Sequence, residues 1–393
     1  MPKLVRITTT TLSLKYLLRN QMRFMKQHGF DVIMISSDGP EKEDVVKNEG
    51  CSHQVINMTR KITPFADLRS LWKLYRVLKK EKPDIVHSHT PKAGLLAMLA
   101  ARMAGIKVRV HTVAGLRFMT TTGLTRKLLV AMEKLTMRSA TDIWPNSFSL
   151  RDYMISNKLA RPSRLEVVGM GSSNGIDLER FHDDVLKKEE IERVKKLIQY
   201  DEQHTYLLTV GRIVHDKGID ELVKAFNEVY KKNNHLRLLL VGTFEDELDP
   251  VTPESRALLQ SHPGIILAGW NEGVEYFMHI ADMLIHPSHR EGFPNVLLQA
   301  GAMKCPIICS RIEGNVDIVE HEKTGLIFET KNAAQLQQKI EQALADPRGM
   351  RQYADQLLQK VKAHFSQPAV HGYLLEKYNY LLDQRTAHKK TKS

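Results

Sequence analysis

Short runs of apolar residues alternate with amphipathic stretches along most of the chain. In the first half KLVRITT, FDVIMISS, DIVHSH, KVRVHTV, TDIWPNS and RLEVVGMG read as strands. Helical patterns lie between them. SLKYLLRNQMRFMKQHG places Lys15, Arg19, Arg23 and Lys26 on one face and Leu14, Leu17, Leu18 and Met25 on another. AGLLAMLAARMAG and FSLRDYMISNKL also read as helices. Runs that are apolar at nearly every position, each separated by a helix, predict parallel strands covered on both faces. The alternation breaks at FHDDVLKKEEIERVKKLIQYDEQ, which is charged and reads as no strand, then restarts with TYLLTVGR, LRLLLVG, GIILAGW, ADMLIHPS, CPIICSR and GLIFE. The pattern predicts an α/β chain of two doubly wound domains, residues 1–182 and 203–365, joined between 182 and 203.

Composition agrees with this division. A chain of 393 residues exceeds what one core usually serves, and 42% hydrophobic with 26% charged residues is the balance of a globular protein. The three cysteines cannot form a disulfide framework and suit a reducing compartment, with Cys305 and Cys309 reading as buried strand residues around PII. The opening MPKLVRITTTT has no apolar core of a signal peptide, and the longest apolar run, AGLLAMLAA, stops at Arg102, short of the ~18 residues of a membrane span. A cytoplasmic location is therefore expected. The net charge of +12 is not gathered into a dense nucleic-acid-binding tract; only the tail RTAHKKTKS is concentrated, and it reads as disordered. In DLRSLWKLYRVLKKEKP, Arg69, Lys73, Arg76 and Lys80 run beside Leu68, Leu71, Trp72 and Tyr75. Such faces are either solvated or attracted to anionic lipid head groups.

In doubly wound sheets ligands bind beyond the carboxyl ends of the strands, and three segments there carry chemistry. In LLTVGRIVHDKGID a strand ends at Val210, Gly211 lets the backbone turn, and Arg212 and Lys217 precede a helix beginning near Ile219. Two cations beside a helix N-terminus suit a diphosphate. In HREGFPNVLLQAGAMKCP, Glu291, Gly292 and Phe293 precede a helix opened by Pro294 and Asn295, and Gln299 stands eight positions after the acid. Eight residues span ~12 Å along a helix, so Glu291 and Gln299 would touch opposite ends of one extended ligand. In VRVHTVAGL, His111 follows a strand. Each has a plainer reading: surface charges, a capping acid, a structural histidine. VVGMGSSNG imitates a dinucleotide-binding turn, but its third glycine is displaced and no long apolar helix follows. HSH at 87–89 has no companions to complete a metal site, and no metal is expected.

Together these segments resemble the retaining glycosyltransferase family 4, of the two-Rossmann-domain fold called GT-B. GRIVHDKG is similar to that family's diphosphate motif, REGFPNVLLQA to its Glu-x7-Glu motif, NGID with Phe181 to its interdomain signature and TGLIFE to its late strand. More narrowly, TRKITPF, HSHTPKAG and HTVAGL resemble bacterial enzymes that extend lipid-linked saccharides for capsule or O-antigen. The resemblance implies two Rossmann-like domains facing each other across a cleft, the first for the acceptor and the second for a nucleotide-sugar. It implies a last helix, about 366–385, packing back on the first domain. The donor, a UDP-sugar carrying a hexose or N-acetylhexosamine, would be held by Gly211, Arg212, Lys217, Glu291, Gly292, Phe293, Pro294, Asn295 and Gln299. Arg212 and Lys217 would neutralise the departing diphosphate, Glu291 would accept from sugar hydroxyls, and His111 would reach the sugar or phosphate. No cofactor is implied. The acceptor would be a polyprenyl-diphosphate-linked glycan, met by an enzyme lying peripherally on anionic lipid at the cytoplasmic face of the inner membrane.

Two departures stand out. TTTTLSLK replaces a first loop that is glycine-rich in many relatives, and Gln299 stands where the family has its second Glu. Gln can accept from one ribose hydroxyl and donate to another, at the loss of charge assistance worth ~1 kcal/mol. The rivals are a UDP-sugar 2-epimerase of the same architecture and a catalytically silent sugar-nucleotide-binding subunit of a glycan assembly complex.

Overall fold

In the computed structural model, which describes residues 1–59, 62–247 and 249–390, the apolar runs pair in parallel as two six-stranded sheets. The first sheet is built from β1 (Lys3–Ile7), β2 (Asp31–Ser36), β3 (Ser52–Val55), β4 (Ile85–Ser88), β5 (Val108–Val113) and β6 (Asp142–Pro145), in the order β3-β2-β1-β4-β5-β6. Its helices are α1 (Thr11–Leu17), α2 (Gln21–Gln27), α3 (Lys42–Glu49), α4 (Pro64–Glu81), α5 (Pro91–Met103), α6 (Gly123–Ser139) and α7 (Phe148–Ser156). Alternate strand residues serve opposite cores, as the pleat requires: Val5, Ile7, Ile33 and Ile35 on one face, Leu4, Val32 and Met34 on the other.

After α8 (Lys188–Ile198) the second sheet repeats the plan. β7 (Thr205–Val210), α9 (Ile219–Tyr230), β8 (Leu236–Val241), α10 (Pro253–Ser261), β9 (Ile265–Gly269) and α11 (Val274–Ile280) come first. Then follow β10 (Met283–His286), α12 (Asn295–Ala302), β11 (Ile307–Ser310), α13 (Asn315–Ile318), β12 (Leu326–Phe328), α14 (Ala333–Ala345) and α15 (Pro347–His364). The strand order is β12-β11-β10-β7-β8-β9. Here too neighbours divide between faces, Leu208 and Leu239 to one core, Leu207, Leu238 and Leu240 to the other. The order reverses between β7 and β10, which pair through Met283 and Leu207. That switch point is where a ligand is expected.

The chain divides into two compact units, Met1–Gly175 with the segment from Gln367 onward, and Ile176–Ser366. The division comes ahead of residue 182 because Ile176 and Phe181 are buried in the second unit's core. The charged joining stretch is likewise not bare: α8 buries Val194 and Ile198 there. The last helix, α16 (Gln367–Lys390), joins the first unit. Its Tyr378 is fully buried beside Phe30 and Trp144 and accepts a hydrogen bond from Arg6, a buried guanidinium that also donates to Gln21 and meets His87 Nδ1 at 3.0 Å.

Four sequence expectations need correction. The helix read through Lys15 to Lys26 is broken: α1 stops at Leu17, and Asn20, at φ +67°, turns the chain into α2. Lys15, Arg19, Arg23 and Lys26 therefore do not share one helical face, and Lys15 pairs with Asp44 at 3.2 Å. RLEVVGMG is not a strand; Leu165 alone bridges to Ile143, and positive φ at Gly169, Gly171, Ser172 and Gly175 turns the backbone away. β3 was illegible because SHQV has no apolar run, sitting half-exposed at the sheet edge. The tail expected to be disordered is helical to Lys390, while residues 391–393, like Arg60 and Lys61 of TRKITPF, lie outside the described residues.

Candidate active site

The loops after β7 and β10 run side by side, and their side chains meet in register. His215, Asp216 and Lys217 oppose His289, Arg290 and Glu291. The two imidazoles pack edge to face with ring centroids 5.1 Å apart. Arg290 donates to Asp216 Oδ2 through Nε at 2.9 Å and its terminal nitrogen lies 2.8 Å away. Lys217 Nζ donates to Glu291 Oε1. The backbone adds another tie, from the His289 N–H to the Asp216 carbonyl at 2.9 Å. Outer partners fix each histidine: His215 Nδ1 meets Asp220 at 2.7 Å and His289 Nε2 meets Glu221 at 3.0 Å. The approach demands glycine at 218. Its φ is +68°, and a Cβ there would fall inside van der Waals contact with the Pro287 carbonyl.

Glu291 is largely buried and paired with Lys217. Burial by itself would raise its pKa, but the Lys217 ammonium, and after it His286, outweigh burial and hold the carboxyl well below the usual carboxylate range. His286, buried at the end of β10, puts Nε2 3.3 Å from the same Oε1 without the alignment of a full hydrogen bond. Oε2 takes no bond from any described residue. The arrangement is an ionised carboxylate with one oxygen anchored and one left to accept. It sits just ahead of α12, for which Pro294 is the N-cap and Asn295 the first residue, and Gly292, Phe293 and Pro294 are buried beneath it.

Other expected residues stand apart from this ladder. Arg212 follows Gly211 at the mouth of the same loop but turns to Glu245, which it meets at 2.6 Å. Gln299 is half-buried, within α12. His111 belongs to the first unit. It is buried on β5 against Gly94, with Nδ1 2.9 Å from Ser88 Oγ, and burial lowers its pKa to about 4, so the ring is neutral. Sequence reading missed His286, the Asp216–Arg290 rung and Glu245. One signal was available for the rung: HDK and HRE are tripeptides of reversed charge order, each leading from a strand end into a helix. Among the described residues no group of His, Cys, Asp and Glu is placed to hold a metal ion, and no helix is long and apolar enough to cross a membrane.

Two family descriptions match the two halves: "Glycosyl transferase 4-like domain" over residues 16–171 and "Glycosyl transferases group 1" over residues 190–360. Among solved structures, Anabaena HepE in complex with UDP and glucose superposes with a TM-score of 0.79 at 14% identity, covering 97% of this chain and 100% of that one. The fold is thus that of a GT-B glycosyltransferase. The capsular polysaccharide biosynthesis glycosyltransferase CapM of Staphylococcus aureus is 35% identical over 382 residues, 97% of this chain and 98% of that protein. An Escherichia coli UDP-Gal:alpha-D-GlcNAc-diphosphoundecaprenol alpha-1,3-galactosyltransferase is 27% identical over 312 residues, 79% of each chain. The chain belongs to the group 1, family-4-like glycosyltransferases.

Proposed function

We propose that this enzyme moves a hexosyl or N-acetylhexosaminyl group from a UDP-sugar to a polyprenyl-diphosphate-linked glycan, with retention at the anomeric carbon, in the assembly of a capsule or O-antigen. The observation that carries the reading is the Lys217–Glu291 pair at the switch point. It offers a cation for the departing diphosphate and, beside it, an ionised acceptor for sugar hydroxyls. In this reading Gly211 and the segment Gly292–Phe293–Pro294–Asn295 line the donor, Arg212 exchanges Glu245 for phosphate oxygens, and Gln299 takes the ribose. His111, being neutral, serves as a hydrogen-bond partner of the sugar or its phosphate. The names of the relatives support the polyprenyl carrier and the capsular role, and the Anabaena protein of the same fold was solved with UDP bound.

The test is UDP release from UDP-sugars with and without a polyprenyl-diphosphate-linked acceptor. Release that requires acceptor is expected. Conversion of the sugar nucleotide without acceptor would make the chain an epimerase, and binding without turnover a silent subunit. The same assay in chelator is expected to run unchanged, since Lys217 and Arg212 supply the neutralising charge; activity lost there and restored by Mg²⁺ or Mn²⁺ would contradict the proposal.

The departure at position 299 has its own expected result. Gln299→Glu should keep substantial activity, and Gln299→Leu should raise the donor KM several-fold with kcat nearly unchanged. A ribose contact is made alike in ground and transition states, so its loss is uniform binding. A collapse of kcat at unchanged KM would place Gln299 elsewhere.

A further inference from the structure

The first sheet has a switch point of its own, where the strand order reverses between β1 and β4. The loops there are tied together: the Thr9 and Thr90 hydroxyls lie 2.7 Å apart, and the Ala93 N–H donates to Thr9 Oγ1 at 3.3 Å. Directly after Thr90, Pro91 and Lys92 of HSHTPKAG line a small cavity. Ile62 of TRKITPF and Arg117 and Phe118, just after HTVAGL, complete it against α6. Three segments far apart in sequence, each following a strand, thus converge on one place. The cavity measures about 50 Å³, and a water's share of the liquid is ~30 Å³. It admits a substituent and excludes a sugar ring.

The acid that α6 turns into this cavity is Glu133, only 8% exposed. Its carboxyl takes no hydrogen bond or ion pair from any described residue, and burial pushes its pKa up to about 7. The other polar groups of the lining do not serve it. Lys92 is paired with Asp67 of α4, and the Thr136 hydroxyl donates to the Met132 carbonyl at 3.0 Å. Arg117 is exposed at the rim and meets no acid among the described residues. Ile62, Phe118, Leu129 and Met132 make the rest of the wall apolar. A buried carboxyl without a donor is costly, and here it faces space that a ligand group can enter.

An acetamido group meets every part of this lining. Its N–H donates to the Glu133 carboxylate, its carbonyl accepts from Arg117 at the rim, and its methyl lies against the apolar wall. A lone hydroxyl would leave that wall wet. An ammonium would face Lys92 and Arg117, and a phosphate or carboxylate would face Glu133. We infer, resting on the proposed transfer to a glycan, that this cavity recognises the acetamido group of an N-acetylhexosamine on the acceptor, with Glu133 as the residue that sets the preference.

The experiment is calorimetric binding of octyl-diphosphate-linked N-acetylglucosamine, N-acetylgalactosamine, glucose and galactose to the full chain, with transfer to each measured beside it. The parent is expected to bind at least one N-acetylhexosamine at least about tenfold more tightly than its hexose counterpart. Glu133→Leu should lose that preference while binding the hexoses as the parent does. Glu133→Gln should keep part of it, because its amide carbonyl still accepts from an N–H. Neither variant should melt below the parent, since each removes a buried carboxyl that no described residue satisfies. No binding, no preference for the acetamido sugars, or a preference that survives Glu133→Leu would overturn the inference. So would a lowered melting temperature in Glu133→Leu, which would show the carboxyl bonded within the fold. Selective binding with no transfer to any of the four would reject the proposed function and leave the cavity's assignment standing; transfer without selectivity would do the reverse.

Discussion

Glu291→Gln and Lys217→Met are each expected to lower acceptor-dependent UDP release by ~10²-fold or more, the several kcal/mol that a charged contact with a departing diphosphate or developing cation supplies. The pair also holds the free protein together, so stability must be separated from chemistry. Lys217 and Glu291 are largely buried and each is the other's ion-pair partner. Removing Lys217 alone strands a carboxylate beside His286, which should cost a few kcal/mol of stability. The double variant Lys217→Met/Glu291→Gln removes both charges and should regain much of that stability, because the two losses are coupled. Its activity should not return. A double variant that recovers turnover together with its melting temperature would show that the pair only braces the two loops.

How much of this was legible depended on what each signal was. Strands buried on both faces announce themselves, since covering both sides of a sheet leaves only apolar residues between; β7, β8, β10 and β11 are of this kind. β3 is polar because one edge of a sheet needs no such cover, and it escaped notice. The break between α1 and α2 turns on Asn20, whose left-handed backbone is a matter of tertiary context, for LLRNQM reads as uninterrupted helix. At the site, Lys217 and Glu291 were legible as separate strand-end charges. Their pairing was not, because 74 residues separate them and only the parallel order of β7 and β10 makes those loops neighbours. Arg212 shows the converse: adjacent in sequence to the ladder, it is drawn out of it by Glu245.

The other large effect is expected at Gly218, which touches no ligand in the proposed reading. Gly218 closes the turn after Lys217, donating its N–H to the His215 carbonyl at 2.8 Å, and opens α9 by accepting from the Leu222 N–H at 3.0 Å. Its φ of +68° costs an L-residue ~1 kcal/mol, which any alanine in that region would incur. The second cost is particular to the place. An alanine Cβ would strike the Pro287 carbonyl, which is backbone and cannot swing aside as a side chain would. The strain is relieved only if the HDK turn retreats from the HRE loop, loosening the Asp216–Arg290 and Lys217–Glu291 rungs together. Gly218→Ala should therefore lose more than ~2 kcal/mol of stability and most of its transferase activity, with weakened UDP binding. Gly105→Ala is the control, since its φ of +77° is equally left-handed but nothing lies within 4 Å of the added carbon. It should lose only the backbone contribution and keep full turnover. Equal melting temperatures for the two variants, with Gly218→Ala still active, would show that the two loops yield without cost and that their register does not hold the donor site in shape.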